Sequence, residues 1–286
     1  MDGLLADLVK VLSLERIEFN LFRGESRDIG SPQVFGGQVL GQALAAACAT
    51  VEGRDVHSFH AYFIRRGDFN LPIVYEVDRA RDGGHFSTRR VVAIQKGEQI
   101  FNMAASFQST EAGLEHQFTA PAMPEPEGLK DLQTCVRESI TYVPEALRRI
   151  LSQQRPFEFR PVQPTDFRNP QKRPPYSNVW FRAVGRLPDN EALHRALLAY
   201  VSDYALLETA LLPHAPRSSS PPLLMASIDH AMWFHRPVRV DEWLLYCTDS
   251  PSASGARGFA RGSVFSRDGR LVASTAQEGL MRISRE

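Results

Sequence analysis

A chain of 286 residues, 43% hydrophobic and 23% charged, has the length and composition for one large globular domain or two ordinary ones. Lys+Arg and Asp+Glu both number 33, so the formal charge is zero, which argues against a nucleic acid as partner. Cys48, Cys135 and Cys247 stand far apart with no Cys-x-x-Cys, which argues against a disulfide scaffold or zinc knuckle, and no run of about 20 apolar residues is present to insert stably in a membrane.

Residues 3–12 read as an amphipathic helix with Leu4, Leu5, Leu8, Val11 and Leu12 on one side. This start lacks the basic segment of a signal peptide, and the end at Ser284-Arg285-Glu286 is not the Ser-Lys-Leu peroxisomal address, so a cytoplasmic location is expected. Residues 14–23 suit a strand, with Ile17, Phe19 and Leu21 at alternate positions. Pro32 and Gly36-Gly37 mark a turn into a charge-poor helix over 39–49, predicted to be buried, with small side chains that let a sheet wrap it closely. Strands follow at 56–65, 72–81, 86–95 and 99–108, the last two joined by a turn at Lys96-Gly97-Glu98, which predicts an antiparallel meander. Pro121, Pro124, Pro126 and many acidic residues mark 111–135 as a linker, running into a helix over 132–153 that Pro144 kinks or divides. The pattern then restarts. A strand is expected at 178–185, a long helix at 190–212 broken near Pro213, and a polar loop at 214–222. Strands return at 224–235, 239–249, 255–265 and 270–281, with a turn at Arg267-Asp268-Gly269.

The two runs also match in sequence. HAYFIRR at 60–66 lies against HAMWFHR at 230–236 with an offset of 170, and Gly97 matches Gly269 with an offset of 172. A buried helix followed by a meander therefore occurs twice.

No GxSxG elbow and no HExxH occurs, and the glycines of FGGQVLGQ lack the context of a dinucleotide or phosphate loop. The strand histidines lack a Cys/His/Asp cluster, so no metal site is expected. Asp203 stands in LLAYVSDYALLETAL, an apolar setting where an acid needs a partner or water, whereas the first-half helix has no acid at all. Ser227 in MASIDH and Gln277 in VASTAQEG are polar residues in strand-like runs. A carboxylate, a hydroxyl and an amide together can hold and activate a water beside a carbonyl. Backbone N–H groups of Gly36 and Gly37, at a helix N-terminus, could polarise that carbonyl oxygen.

QVFGGQVLGQAL (33–44), VHSFHAYFIRRGD (56–68), YVSDYALL (200–207), ASIDHAMWFHRP (226–237) and ASTAQEGLMR (273–282) resemble the acyl-CoA thioesterase II family, and the resemblance runs from about residue 4 to 283. It implies an α+β double hotdog, two curled antiparallel sheets each wrapped round a long helix, divided as 1–112, a linker with helix at 113–155, and 156–286. It implies hydrolysis of fatty acyl-CoA to fatty acid and coenzyme A, without a covalent intermediate or a cofactor. The family's Asp, hydroxyl and Gln fall on Asp203, Ser227 and Gln277; bacterial relatives often have Thr where Ser227 stands. A homodimer or homotetramer is expected. For coenzyme A, Arg65, Arg66, Arg89, Arg90, Arg257 and Arg261 are candidates for a positive rim. Phe35, Tyr62, Phe63, Met232 and Trp233 are candidates to line an acyl slot. Two alternatives stand beside hydrolysis: a hotdog hydratase or dehydratase on acyl thioesters, whose His-Asp pattern on the central helix is not evident, and a non-catalytic acyl-CoA binding module.

Overall fold

The computed structural model describes residues 3–143, 145–214 and 223–284. Helix α1 (Gly3–Leu12) buries Leu5, Leu8, Val11 and Leu12, the stripe its apolar spacing dictates. Residues 14–23 do not form the single strand expected. They make a hairpin of β1 (Glu15–Glu18) and β2 (Leu21–Gly24). The chain reverses at Phe19-Asn20, where the Glu18 carboxylate accepts the Phe19 N–H. Ile17 and Phe19 are therefore 48% and 58% exposed, and Phe22 is the residue that enters the core.

Helix α2 (Gly36–Cys48) is followed by the expected meander of β3 (Asp55–Phe63), β4 (Ile73–Asp82), β5 (Phe86–Gln95) and β6 (Glu98–Gln108). Alternate residues of each strand, such as Phe59 and Ala61 on β3 and Val91 and Ala93 on β5, face α2. The linker is extended up to a 3-10 turn at Pro126–Gly128. Gln117 donates to Gly269 O and accepts from Leu271 N, and Trp180 donates to Pro124 O, which ties it to the second half. The expected helix at 132–153 is two helices, α3 (Leu132–Ser139) and α4 (Glu145–Leu151); Pro144 itself lies outside the described residues.

The second half holds β7 (Phe157–Pro161), β8 (Tyr176–Ala183) and α5 (Glu191–Ser202). Then come β9 (Leu223–Ser227), β10 (Asp229–Phe234), β11 (Leu244–Ser254), β12 (Arg257–Ser266) and β13 (Leu271–Ile283). Helix α5 is shorter than its apolar run suggests. It stops at Ser202 with Asp203 as its C-cap, Ala205 takes a left-handed φ of 58°, and Leu207–His214 continues as a 3-10 helix. Residues 215–222 of the expected polar loop lie outside the described residues. The strand expected at 239–249 begins only at Leu244, because Arg239 and Asp241 pair with each other and with the Leu187 backbone.

All described strands join one antiparallel sheet in the order β1-β2-β4-β5-β6-β3-β10-β13-β12-β11-β8-β7, with β9 beside the far end of β13. The repeated strands β3 and β10 are thus neighbours, with Ala61 opposite His230 and His60 opposite Ala231. Their facing corrects the sequence offset of 170. His60 is exposed and meets the Trp233 ring edge-on, whereas His230 is 0% exposed on the inner face. In a strand a one-residue slip reverses every side chain. Matching His230 with Phe59, an offset of 171, and Gln277 with Ala105, at the Gly97–Gly269 offset of 172, restores the facing.

Helices α2 and α5 lie antiparallel under the sheet and press together through glycine. A Cβ on Gly37 would stand 2.2 Å from Tyr200 O, and one on Gly41 3.0 Å from Ala196 O. The small residues of α2 therefore serve close approach of a second helix as well as of the sheet.

Candidate active site

Three elements of the second half converge on one polar spot. The end of α5 supplies Asp203. The join between β9 and β10 supplies Ser227: the pairing with β13 runs Ser227 opposite Gly279 but Ala231 opposite Ala276, a one-residue slip at Ile228. This bulge is held by the Asp229 carboxylate, which accepts the Glu278 N–H at 2.6 Å, and by Ile228 N donating to Glu278 O. Gln277 comes from the inner face of β13 and is 1% exposed.

Gln277 Nε2 donates to Asp203 Oδ1 at 2.7 Å and to Ser227 Oγ at 3.1 Å. It also lies 3.2 Å from His230 Nδ1. The Asp203 carboxylate, 6% exposed, further accepts from the Ser227 hydroxyl and the Gly37 N–H. Burial pushes its pKa up to about 6, against the lowering pull of Gln277, Gly37 and Ser227. His230 is held neutral, its pKa pushed down to about 3 by burial, so the 3.9 Å approach of its Nδ1 to Asp203 Oδ1 is not an ion pair. Among the described residues, Gln277 Oε1 is buried without a hydrogen-bond partner.

The first half reaches the same spot through the N-terminus of α2. Phe35 is its N-cap, with no side-chain cap bond, so the leading N–H groups are free to serve other acceptors. A Cβ on Gly36 would stand 2.6 Å from Asp203 Oδ2 and 3.0 Å from the Phe63 ring, which is why glycine is required there. The Gly37 N–H is spent on Asp203, which differs from the carbonyl-polarising role expected of it.

The other expected residues divide. Phe35 and Phe63 flank the glycines: Phe35 packs on Tyr200 and Tyr204 at 5.2 and 4.6 Å, and Phe63 on Phe101 at 5.3 Å. Met232 is 0% exposed in the core, Tyr62 is 56% exposed, and Trp233 lies on the outer face against His60, so these three do not line one slot with the phenylalanines. Arg65 pairs with Glu98 and donates to Gln99 O, and Arg66 is exposed. Arg90, Arg257 and Arg261 lie on the outer face, the last two paired with Glu278 and Asp249. Arg89 is corrected outright. It is 1% exposed, and its guanidinium is committed to Thr50 Oγ1, Thr50 O and Asp82, so it forms no rim.

Nothing in the sequence pattern marks the wall behind the site. A cavity of about 300 Å³ lies beside Tyr200 and Tyr204, bounded by Leu8 and Val11 of α1, Ile150 and Arg155. Arg155 stacks over the Tyr204 ring at 4.9 Å.

Comparison with known proteins gives consistent results for the whole chain. A family model described as acyl-CoA thioesterase N-terminal domain matches residues 23–108, and one described as acyl-CoA thioesterase matches 148–280. The acyl-CoA thioesterase 2 of Haemophilus influenzae is 42% identical over 99% of this chain and 100% of its own. An acyl-CoA thioesterase II structure from Mycobacterium marinum shares 41% identity at a TM-score of 0.80, covering 97% of this chain and 98% of its own. A hot dog fold protein from Alicyclobacillus acidocaldarius, 18% identical, superposes at 0.79 over 98% of this chain and 99% of its own, which identifies the fold as a double hotdog.

Proposed function

The chain belongs to the acyl-CoA thioesterase family and hydrolyses fatty acyl-CoA thioesters, and we propose that Asp203, Ser227 and Gln277 deliver the attacking water. The observation that carries this reading is the amide of Gln277. Its NH2 end binds both Asp203 and Ser227, and its buried Oε1 has no partner among the described residues. A water seated there donates one hydrogen to Gln277 Oε1 and the other to the Asp203 carboxylate. Asp203 takes that proton as the water oxygen attacks the thioester carbon. The Gly36 N–H, at the positive end of α2, is the candidate donor to the carbonyl oxygen. The C–S bond then breaks, and the proton on Asp203 passes to the departing coenzyme A sulfur. No bond to the protein forms, and the chemistry needs no metal or cofactor. A hydratase reading is disfavoured because the one histidine at the site, His230, is buried behind Gln277 and turned toward Ser202.

Phe35 and Phe63 would meet the start of the acyl chain, and Arg65 and Arg66, a few residues beyond Phe63, the coenzyme A phosphates. Residues 1–112 and 156–286 act as the two hotdog units, with 113–155 as the linker. We place the protein in the cytoplasm as a homodimer or homotetramer; exposed Ile17 and Phe19 at the β1 edge support self-association, which light scattering after gel filtration tests. Among the described residues no helix is long and apolar enough to cross a membrane.

The test is thiol release from a long-chain acyl-CoA. Asp203→Asn should lose most turnover with its circular dichroism unchanged, and near-normal turnover would remove Asp203 from the mechanism. Ser227→Ala and Gln277→Ala should each slow kcat on the order of 10²-fold, the scale of one positioning or charge-stabilising group.

A further inference from the structure

His230 lies directly behind Gln277, and hydrolysis as read above leaves it without a task. Its ring closes a chain of hydrogen bonds whose directions are fixed. The Ser202 hydroxyl donates to Ala199 O at 2.9 Å, which leaves its oxygen as an acceptor. His230 Nε2, 3.0 Å from that oxygen, is therefore the donor. A neutral imidazole with its proton on Nε2 carries a lone pair on Nδ1; of the two hydrogens on Gln277 Nε2 one goes to Asp203, and the other is shared between Ser227 Oγ at 3.1 Å and this lone pair at 3.2 Å. The Phe59 ring stacks on the imidazole, 6.1 Å away at 21°, and holds its plane.

The consequence falls on the amide of Gln277. An amide can turn over and exchange its oxygen for its NH2 group. While Asp203 is ionised, its carboxylate resists that exchange, because it accepts from Nε2 at 2.7 Å and would repel Oε1. Once Asp203 has taken the proton from water, its carboxyl can donate, and this restraint is gone. Nδ1 of His230 remains an acceptor throughout, so it keeps Nε2 turned inward and Oε1 turned to the water.

We propose that His230 is a positioning residue for the hydrolysis, fixing the Gln277 amide in the orientation that presents Oε1 to the attacking water. This rests on the assignment of Gln277 to the water site.

The test uses full-length variants and steady-state thiol release. His230→Phe removes the Nδ1 acceptor while keeping a flat ring, and kcat should fall ~10–100-fold with KM within about twofold, the scale of a misplaced catalytic group. His230→Asn returns an acceptor near the Nδ1 position and should recover most of kcat, whereas His230→Gln reaches the Nε2 position only and should stay slow. His230→Phe combined with Gln277→Ala should be no slower than Gln277→Ala alone, since both act through one amide. Unchanged kcat in His230→Phe, equal rates for the Asn and Gln variants, or rate losses that multiply in the double variant would each overturn the proposal. If His230→Phe does not fold, the Asn-against-Gln contrast decides. Full activity in Gln277→Ala alone would instead overturn the water-site assignment.

Discussion

Asp203 is made basic by where it stands. A carboxylate on the surface, with a pKa of 3.8, would be a poor acceptor for a water proton; burial brings this one to about 6, which makes it a better acceptor. If Asp203 is the base proposed above, hydrolysis needs its ionised form, so kcat/KM should rise tenfold per pH unit up to about 6 and level off above it. A plateau reaching down to pH 4.5 would show that Asp203 is not the base. The same shift has a cost in stability. The folded state binds the Asp203 proton more tightly than the unfolded chain, so this group's contribution is full below pH 3.8 and is lost as pH rises through about 6. The difference corresponds to ~3 kcal/mol. Urea unfolding of Asp203→Asn should therefore lose less stability than wild type between pH 4 and 7, by an amount of that order. Gly37 completes the residue set. A methyl there meets Tyr200 O at 2.2 Å, a backbone atom with no way to yield, so Gly37→Ala should separate α2 from α5, displace Asp203 and cost ~2 kcal/mol or more.

At the scale of elements, α1 does more than cover a core. Leu8 and Val11 form one wall of the cavity beside Tyr200 and Tyr204, and Phe35 links those two rings to the glycines at the head of α2. An acyl tail entering past Phe35 would end against α1. Leu8→Trp should then lower kcat/KM for long-chain acyl-CoA by about tenfold or more while leaving short chains nearly unchanged, since several buried methylenes are at stake. An equal loss at all chain lengths would place the tail elsewhere. The elements behind this pocket were unequally legible. Helix α2 and the β3–β6 meander could be read because their periodicity is strong and their turns carry glycine. The β1–β2 hairpin could not, because alternation in residues 14–23 continues through the Phe19-Asn20 reversal. The bulge at Ile228 was equally hidden. ASIDHAMWF reads as one strand, and only the pairing with β13 and the Asp229 carboxylate reveals the slip that brings Ser227 to Gln277. The end of α5 was masked by an apolar run that continues beyond Asp203, so the acid appeared to be inside a helix when it caps one.

The whole molecule is a duplication in which the equivalent places hold opposite chemistry. Both long helices end at a C-cap, Ala49 in α2 and Asp203 in α5. Inner-face Gln277 corresponds to Ala105, and His230 to Phe59, so the first half is apolar at all three of these places. What fills the space is Arg89. It is paired with Ala105 in the sheet, as Ala260 is paired with Gln277, and it extends inward to the end of α2. There its guanidinium holds Thr50 Oγ1 at 2.9 Å and Thr50 O at 3.1 Å, a cation at the negative end of a helix, with Asp82 at 2.7 Å outside. Residue type alone could not separate Arg89 from Arg90, since adjacent arginines on a strand face opposite ways and sequence does not say which turns inward. The asymmetry of acid between the two helices was readable; the arginine that seals the first-half copy was not. Arg89→Ala would leave buried Thr50 acceptors unpaired and a hole behind Ala105. It should lower stability by ~2–4 kcal/mol in urea unfolding while KM for acyl-CoA stays within about twofold. Arg66→Ala should do the reverse, raising KM several-fold with little change in stability. If Arg89→Ala weakened substrate binding at unchanged stability, the guanidinium would belong to the coenzyme A site, and the first-half copy would be open to ligand.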